Sequence, residues 1–308
     1  MHYLIFILAL IGLLISSNFF TKSAEIIGKY LGLPTFVVGV FIVGIGTSLP
    51  ELISGIISVK SQASEILTGN IIGANISNIL LITGLAVVIN KKNINLSSGY
   101  MYIDLHYLVG GFLFFYIVAF DGEIGLVESF FGILMFIVYS IYLIKGETTD
   151  TKEESVDKKS LPFSSLFVLI IAALGIYFGA DYTISSLEEI AIDMSIPKSI
   201  VGLTLLSIGT TLPELAVNIS AIRQGKAEMA IGNVLGSCIF NTLVIPFVAS
   251  LFGTVSVPDN LLQFSLPLMA ACGLLFYLLT QDKKISIWEG LMFICLYGLF
   301  IFKTATGL

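Results

Sequence analysis

The chain has 308 residues, 56% of them hydrophobic and only 12% charged, with a mean hydropathy of +0.99. Soluble globular domains carry about a quarter charged residues, so this composition excludes an ordinary water-soluble domain and makes a lipid bilayer the main solvent. The net charge of −6, with 15 Lys and Arg, excludes a basic nucleic-acid surface.

Ten apolar runs follow one another: 3 to 21, 35 to 59, 69 to 90, 102 to 120, 124 to 144, 161 to 181, 199 to 222, 229 to 252, 261 to 280 and 286 to 303. At a rise of about 1.5 Å per residue each can cross a hydrocarbon core about 30 Å thick. The runs are continuously apolar, without the two-residue alternation of a membrane barrel, so the predicted fold is all-α with ten transmembrane helices. The first run lacks a basic segment ahead of it (MHYLIF) and is read as a mature helix, not a signal peptide. Cys238, Cys272 and Cys295 lie inside apolar runs and read as packing residues.

Alternating the connections between two sides places Lys22, Lys29, Lys91, Lys92, Lys145, Lys152, Lys158, Lys159, Arg223, Lys226, Lys283 and Lys284 on one face. Lys60, Lys198 and Lys303 are left for the other. Basic residues in short loops resist translocation, which makes the first face cytoplasmic, both termini external, and the cell (inner) membrane the expected location. The polar stretch 145–160 (KGETTDTKEESVDKKS) reads as a solvated cytoplasmic linker between a five-helix half at 1–144 and a second at 161–308.

The halves are copies of one another. Residues 39 to 86 align with 202 to 249 at a constant offset of 163, with 18 identities in 48 positions and no gap. Upstream, Gly12, Ser23, Glu25, Ile27 and Pro34 meet Gly175, Ser186, Glu188, Ile190 and Pro197 at the same offset. Five spans per half is an odd number, so the second copy sits upside down relative to the first. Inverted repeats that meet at the membrane midplane are the architecture of many secondary transporters.

The strongest matches are GTSLPE (46 to 51) with GTTLPE (209 to 214), and GNIIGANISN (69 to 78) with GNVLGSCIFN (232 to 241). Pro50 and Pro213 lack an N–H and clash with the carbonyl four residues back, which predicts a kink or break within each GTSLP or GTTLP turn. Glu51 and Glu214 each lie eight residues before the end of their run. That is about 12 Å into the core, where an unpaired carboxylate costs several kcal/mol. Runs 35 to 59, 69 to 90, 199 to 222 and 229 to 252 contain no Lys or Arg, so the carboxylates need protons or a mobile cation.

Two carboxylates, hydroxyls and bare carbonyls form an all-oxygen set suited to a hard cation, and two negative charges balance one Ca2+. Gly69, Gly73, Gly232 and Gly236 read as small-residue packing surfaces; Asn78 and Asn241 read equally as interhelical hydrogen-bonding groups or as cavity lining. The only histidines are His2 and His106, with no HExxH, so no catalytic or cofactor-binding group is expected. An inverted repeat around occluded carboxylates also speaks against a channel.

The paired G-[TS]-[ST]-L-P-E and G-N-x-x-G-x-x-x-x-N blocks resemble the alpha repeats of the calcium/cation antiporter superfamily, in its sodium/calcium exchanger branch. The resemblance implies that Glu51 and Glu214 are the central Ca2+ ligands, completed by the carbonyls of Thr47 and Thr210. It further implies that Ser48, Thr211 and Ser237 help coordinate Na+, with Asn78 and Asn241 nearby. Family members commonly carry serine where this chain has Ala74, and many sodium-coupled relatives carry aspartate at Asn241. The expectation is therefore Ca2+/Na+ antiport by a monomer, with Ca2+/H+ antiport on the same carboxylates as the alternative.

Overall fold

The computed structural model describes residues 2–96, 101–145, 162–193, 211–259 and 261–306. Within them run α1 (His2–Leu31), α2 (Thr35–Lys60), α3 (Ser64–Asn90), α4 (Met101–Val118), α5 (Leu126–Lys145) and α6 (Phe163–Asp193). They continue with α7 (Leu212–Arg223), α8 (Ala227–Phe252), α9 (Leu261–Leu279) and α10 (Ile287–Thr306). Among the described residues, eight helices are long and apolar enough to span a bilayer, and Ile103–Val118 is a shorter apolar helix. The chain is thus a helical integral membrane protein. The run at 199 to 222 is represented by α7; its part before Thr211, with Pro197, Lys198 and Thr210, lies outside the described residues, as does the linker beyond Lys145.

Burial separates the helices into two classes. In α8, 89% of the apolar window is buried within the protein and in α3 78%, against 22% in α1, α5, α6 and α10. The motif helices are therefore the core of the bundle, and the outer helices turn residues such as Leu4, Leu8, Leu126, Phe130, Phe167 and Ile171 toward lipid. The outer pair α1 and α6 lie lengthwise against each other. A Cβ on Gly179 would come within 2.9 Å of the Leu13 backbone, so the two helices approach to backbone contact there.

Two short antiparallel ribbons cap opposite ends of the bundle. β1 (Ile94–Asn95) pairs with β4 (Lys284–Ile285), Ile94 opposite Ile285; β2 (Glu123–Ile124) pairs with β3 (Val255–Ser256), Ile124 opposite Val255. The first joins the lysine-bearing connections that the sequence places on one face, and the second joins two connections it places on the other. Ile94, Ile124, Val255 and Ile285 are buried, so each ribbon seals its end with apolar side chains.

The repeat carries into backbone geometry. Ala63 N–H donates to Ser58 O at 2.9 Å, and at the same offset Lys226 N–H donates to Ala221 O at 2.9 Å. The residue between is left-handed in both turns, Gln62 at φ 57° and Gly225 at φ 75°. This helix end requires a positive φ, which Gly225 adopts without strain and Gln62 does not.

In one respect α2 departs from expectation. The GTSLP turn does not break: Ile45–Lys60 is continuous helix with Pro50 inside it, and the irregularity lies one turn upstream, in a π-helical segment at Gly39–Gly44. Pro50 withdraws one donor, from the Gly46 carbonyl, and the wider π turn alters the carbonyl pairing just before the motif. In the second half Thr211 has ψ 0° and the helix starts at Leu212 with Pro213 in its first turn, where no donor is lost.

Candidate functional site

Four helices converge at the centre: α2 and α3 from one half, α7 and α8 from the other. The approach is set by glycines. A Cβ on Gly232 or Gly236 would collide with the carbonyls of Phe36 or Val40, and one on Gly44 would come 2.9 Å from the Ser237 nitrogen. The packing role expected of Gly232 and Gly236 is therefore realised against the irregular start of α2. Gly69 meets only Leu261, at 3.8 Å, and Gly73 meets nothing within 4 Å among the described residues.

Glu51 and Glu214 are 6% and 3% exposed, one from each half, and are close enough for their charges to interact. Ser48, a turn before Glu51, donates to Glu214 Oε1 at 3.4 Å. One helical turn of α2 thus presents its own carboxylate and ties down that of the opposite half. The Asn218 amide donates to the Glu214 carbonyl at 2.9 Å, which supports the first turn of α7.

A second knot joins α2 to α8. The Thr47 hydroxyl lies 3.1 Å from Val43 O and 3.4 Å from Asn233 Oδ1; the Ser237 hydroxyl lies 3.3 Å from Gly44 O and 3.4 Å from the same Asn233 oxygen. Thr47 and Ser237 are both buried. Asn78 opens a π-helical segment, Asn78–Ile82, and its carbonyl accepts from Thr83 Oγ1 at 3.2 Å. At the same offset from Thr83 stands Pro246, with a break at Val244 before it, so both helices are irregular just past the conserved-offset asparagine.

At the crossing of α3 and α8, Cys238 donates to the carbonyl of Asn75, its counterpart at the repeat offset, with sulfur and oxygen 4.0 Å apart. Equivalent positions touch only near a two-fold axis, which places the axis relating the halves through this contact. The Asn75 amide also donates to Thr242 Oγ1 at 2.8 Å, a second bond across the repeat.

Oxygens without partners are concentrated here. Among the described residues, the buried side-chain oxygens that accept no hydrogen bond are Glu51 Oε2, Glu214 Oε2, Asn75 Oδ1, Asn78 Oδ1, Asn218 Oδ1, Asn241 Oδ1 and Asp104 Oδ2. All but the last belong to the four central helices. Each unsatisfied buried acceptor costs about 1–3 kcal/mol, and more when ionised. Buried acceptors that lack donors suit a cation; one buried donor on these helices, Asn233 Nδ2, is also unpartnered, and no group of three or more His, Cys, Asp and Glu is present among the described residues.

Of the residues singled out from sequence, Glu51, Glu214, Thr47, Ser48, Thr211, Ser237, Asn78 and Asn241 are all buried on these four helices or at the cap of α7. Thr210 lies outside the described residues. Asn75, Asn218 and the linking role of Asn233 were not anticipated. Asn75 and Asn218 are opposite Cys and Gly in the other repeat, so the duplication gives no signal for them.

Comparison with known proteins identifies the family. The family model described as sodium/calcium exchanger protein matches residues 1–145 and 164–304. The sodium/calcium exchanger MaX1 of Methanosarcina acetivorans is 31% identical, covering 97% of each chain, and the membrane protein MJ0091 of Methanocaldococcus jannaschii is 30% identical, covering 98% of this chain and 97% of that one. A solved structure of the sodium-calcium exchanger NCX_Mj, soaked with Na+ and Sr2+, superimposes with a TM-score of 0.84 at 29% identity over 97% of both chains. The chain belongs to the sodium/calcium exchanger family.

Proposed function

We propose that the chain exchanges Ca2+ for Na+ by alternating access, with Ca2+ held between Glu51 and Glu214. Family membership makes it a membrane transporter of cations, not an enzyme, and supports exchange that involves Ca2+. The observation that carries this reading is the pair of buried carboxylates, one from each half, each with an unpartnered oxygen. Thr47 and Thr210 contribute backbone carbonyls beside them. Ser48, Thr211 and Ser237 serve Na+ in flanking positions, with Asn78 and Asn241 at the edge. Na+ and Ca2+ compete for the same carboxylates, and that competition couples the two fluxes. The lysine-rich face is cytoplasmic, the membrane is the inner one, and a monomer carries out the cycle.

Ca2+/H+ exchange on the same pair is the second reading. Ala74 and Asn241 favour it, since they remove a hydroxyl and a carboxylate that many sodium-coupled relatives carry. Reconstituted protein loaded with Ca2+ and given a Na+ gradient at clamped pH, then a pH gradient without Na+, separates the two. Exchange driven by Na+ alone supports the first; exchange driven by the pH gradient alone replaces it with the second.

A further inference from the structure

Two cavities lie at corresponding places in the two repeats. One, of about 560 Å3 between α1 and α7, is lined by Asn18, Lys22, Ser220 and Arg223 among apolar residues. The other, of about 760 Å3 between α2 and α6, is lined by Glu51, Ser54, Asn70 and Asp181 among apolar residues. Asp181 stands at the repeat offset from Asn18. The charged residues on the first wall are both basic; on the second both are acidic.

We propose that Asp181 is a capture site for hydrated divalent cations, in series with Glu51, on the face away from the lysine-rich ribbon. Asp181 is exposed and has no hydrogen bond or ion pair among the described residues. It shares the cavity wall with Glu51, whose side chain is buried and has an unpartnered oxygen. The remaining wall is largely apolar: Leu49, Ile53, Ile57, Leu174 and Phe178 line it. Low-dielectric walls focus the field of the carboxylates along the opening and raise the local cation concentration. The opposite cavity, with Lys22 and Arg223, repels the same ions. Asp181 thereby lowers the concentration of Ca2+ needed on its own face.

The inference rests on the proposed Ca2+ transport, so two measurements are paired. In right-side-out and everted vesicles, Asp181→Asn raises KM for Ca2+ on the Asp181 face about threefold to tenfold at low salt, with kcat unchanged, and leaves the other face unaffected. The effect shrinks above about 0.1 M salt, where screening reaches about 10 Å, and Asp181→Glu restores the wild-type value. An unchanged KM, or equal changes on both faces, overturns the capture site while leaving Ca2+ transport intact. The second measurement needs no transport. Tyr177 stands one turn from Asp181 on the same cavity wall. Tb3+, a Ca2+ substitute, is titrated into the Glu51→Gln/Glu214→Gln protein and its emission excited through tyrosine. A weak component lost on Asp181→Asn and on Tyr177→Phe supports the site; emission indifferent to Asp181→Asn overturns it.

Discussion

Gln224 at the end of α7 donates its side-chain amide to Asn18 Oδ1 of α1 at 2.9 Å, whereas the two counterparts in the other repeat, Ser61 and Asp181, are not joined. Beside the first contact, Lys226 pairs with Glu25 at 2.6 Å. The position of Lys226 in the other repeat is Ala63, which has no charge to offer. The lysine-rich end of the bundle is therefore latched between α1 and the α7–α8 turn, by contacts that Ser61, Ala63 and Asp181 do not reproduce among the described residues.

Lys226→Ala tests the latch. The pair is mostly shielded, with side chains 14% and 28% exposed, so its loss is worth about 1 kcal/mol, or a roughly fivefold shift between the two access states. A cysteine placed at Ile219, on the wall of the α1–α7 cavity, reports the shift in a Cys295→Ser background. It is expected to react several-fold faster with a membrane-impermeant thiol reagent from the lysine-rich face when Lys226 is removed. An unchanged rate rejects the latch.

Glu51→Gln and Glu214→Gln are each expected to abolish Ca2+ exchange in liposomes while the protein remains folded, because each leaves one charge against a divalent ion. Ser48→Ala is milder. It removes the hydroxyl that holds Glu214 from the opposite half, a contact worth about 1 kcal/mol. KM for Ca2+ should rise about fivefold with little change in thermal stability, and retention of the wild-type KM would show that the hydroxyl does not position the carboxylate.

The glycine contacts give a stability prediction with opposite signs. Gly236→Ala drives a methyl into the Val40 carbonyl, which sits in the π-helical start of α2 and has little room to retreat. A loss of about 2–3 kcal/mol is expected, visible as a fall in melting temperature in detergent. Gly298→Ala on α10 meets nothing within 4 Å and should be neutral or stabilising by up to about 1 kcal/mol.

Away from Glu51 and Glu214, Asp104 on α4 is fully buried and accepts from the Tyr139 hydroxyl of α5 at 2.5 Å, with its second oxygen unpartnered. Tyr139→Phe leaves a buried carboxyl with no side-chain donor and should destabilise by about 1–3 kcal/mol. Asp104→Leu with Tyr139→Phe removes both polar groups and should recover most of that loss in thermal melts.

Much of this architecture is legible in the sequence, and for a physical reason. Lipid forces every span to be apolar and helical, and gene duplication prints the same polar motif twice, so Glu51 and Glu214 stand out against a background with no basic partner. Thr47 stands in the same block, and Ser48 and Ser237 follow from the family resemblance that the blocks carry. What the sequence hides is asymmetry. The proline rule predicts a kink or break within the motif turn of both halves; in α2 the helix runs on through Pro50 and a π-helical segment lies upstream at Gly39–Gly44, because one lost donor at Gly46 is tolerable inside a packed helix. Asn75, Asn218 and Asp181 escape notice because their repeat counterparts are Cys238, Gly55 and Asn18, so no duplicated pattern marks them. The bonds of Asn75 arise only where helices of the two halves cross, and that of Asn218 only once α7 has formed around Glu214.

Asn241 offers the sharpest test of which ion drives exchange. Its side chain is 2% exposed and its oxygen lacks a donor, so an aspartate fits the same volume and adds a third negative charge to the buried faces of the four central helices. That charge needs an additional monovalent cation for neutrality in the Na+-loaded state. Asn241→Asp, combined with Ala74→Ser to return the hydroxyl, is expected to steepen the Na+ dependence of Ca2+ exchange, with a higher Hill coefficient for Na+. The same double variant should weaken exchange driven by a pH gradient alone, since added Na+ ligands favour Na+ over protons at the pair. Measured in one liposome preparation, a Na+ dependence identical to wild type would show that position 241 lies outside the coupling site and that Glu51 and Glu214 alone set the stoichiometry.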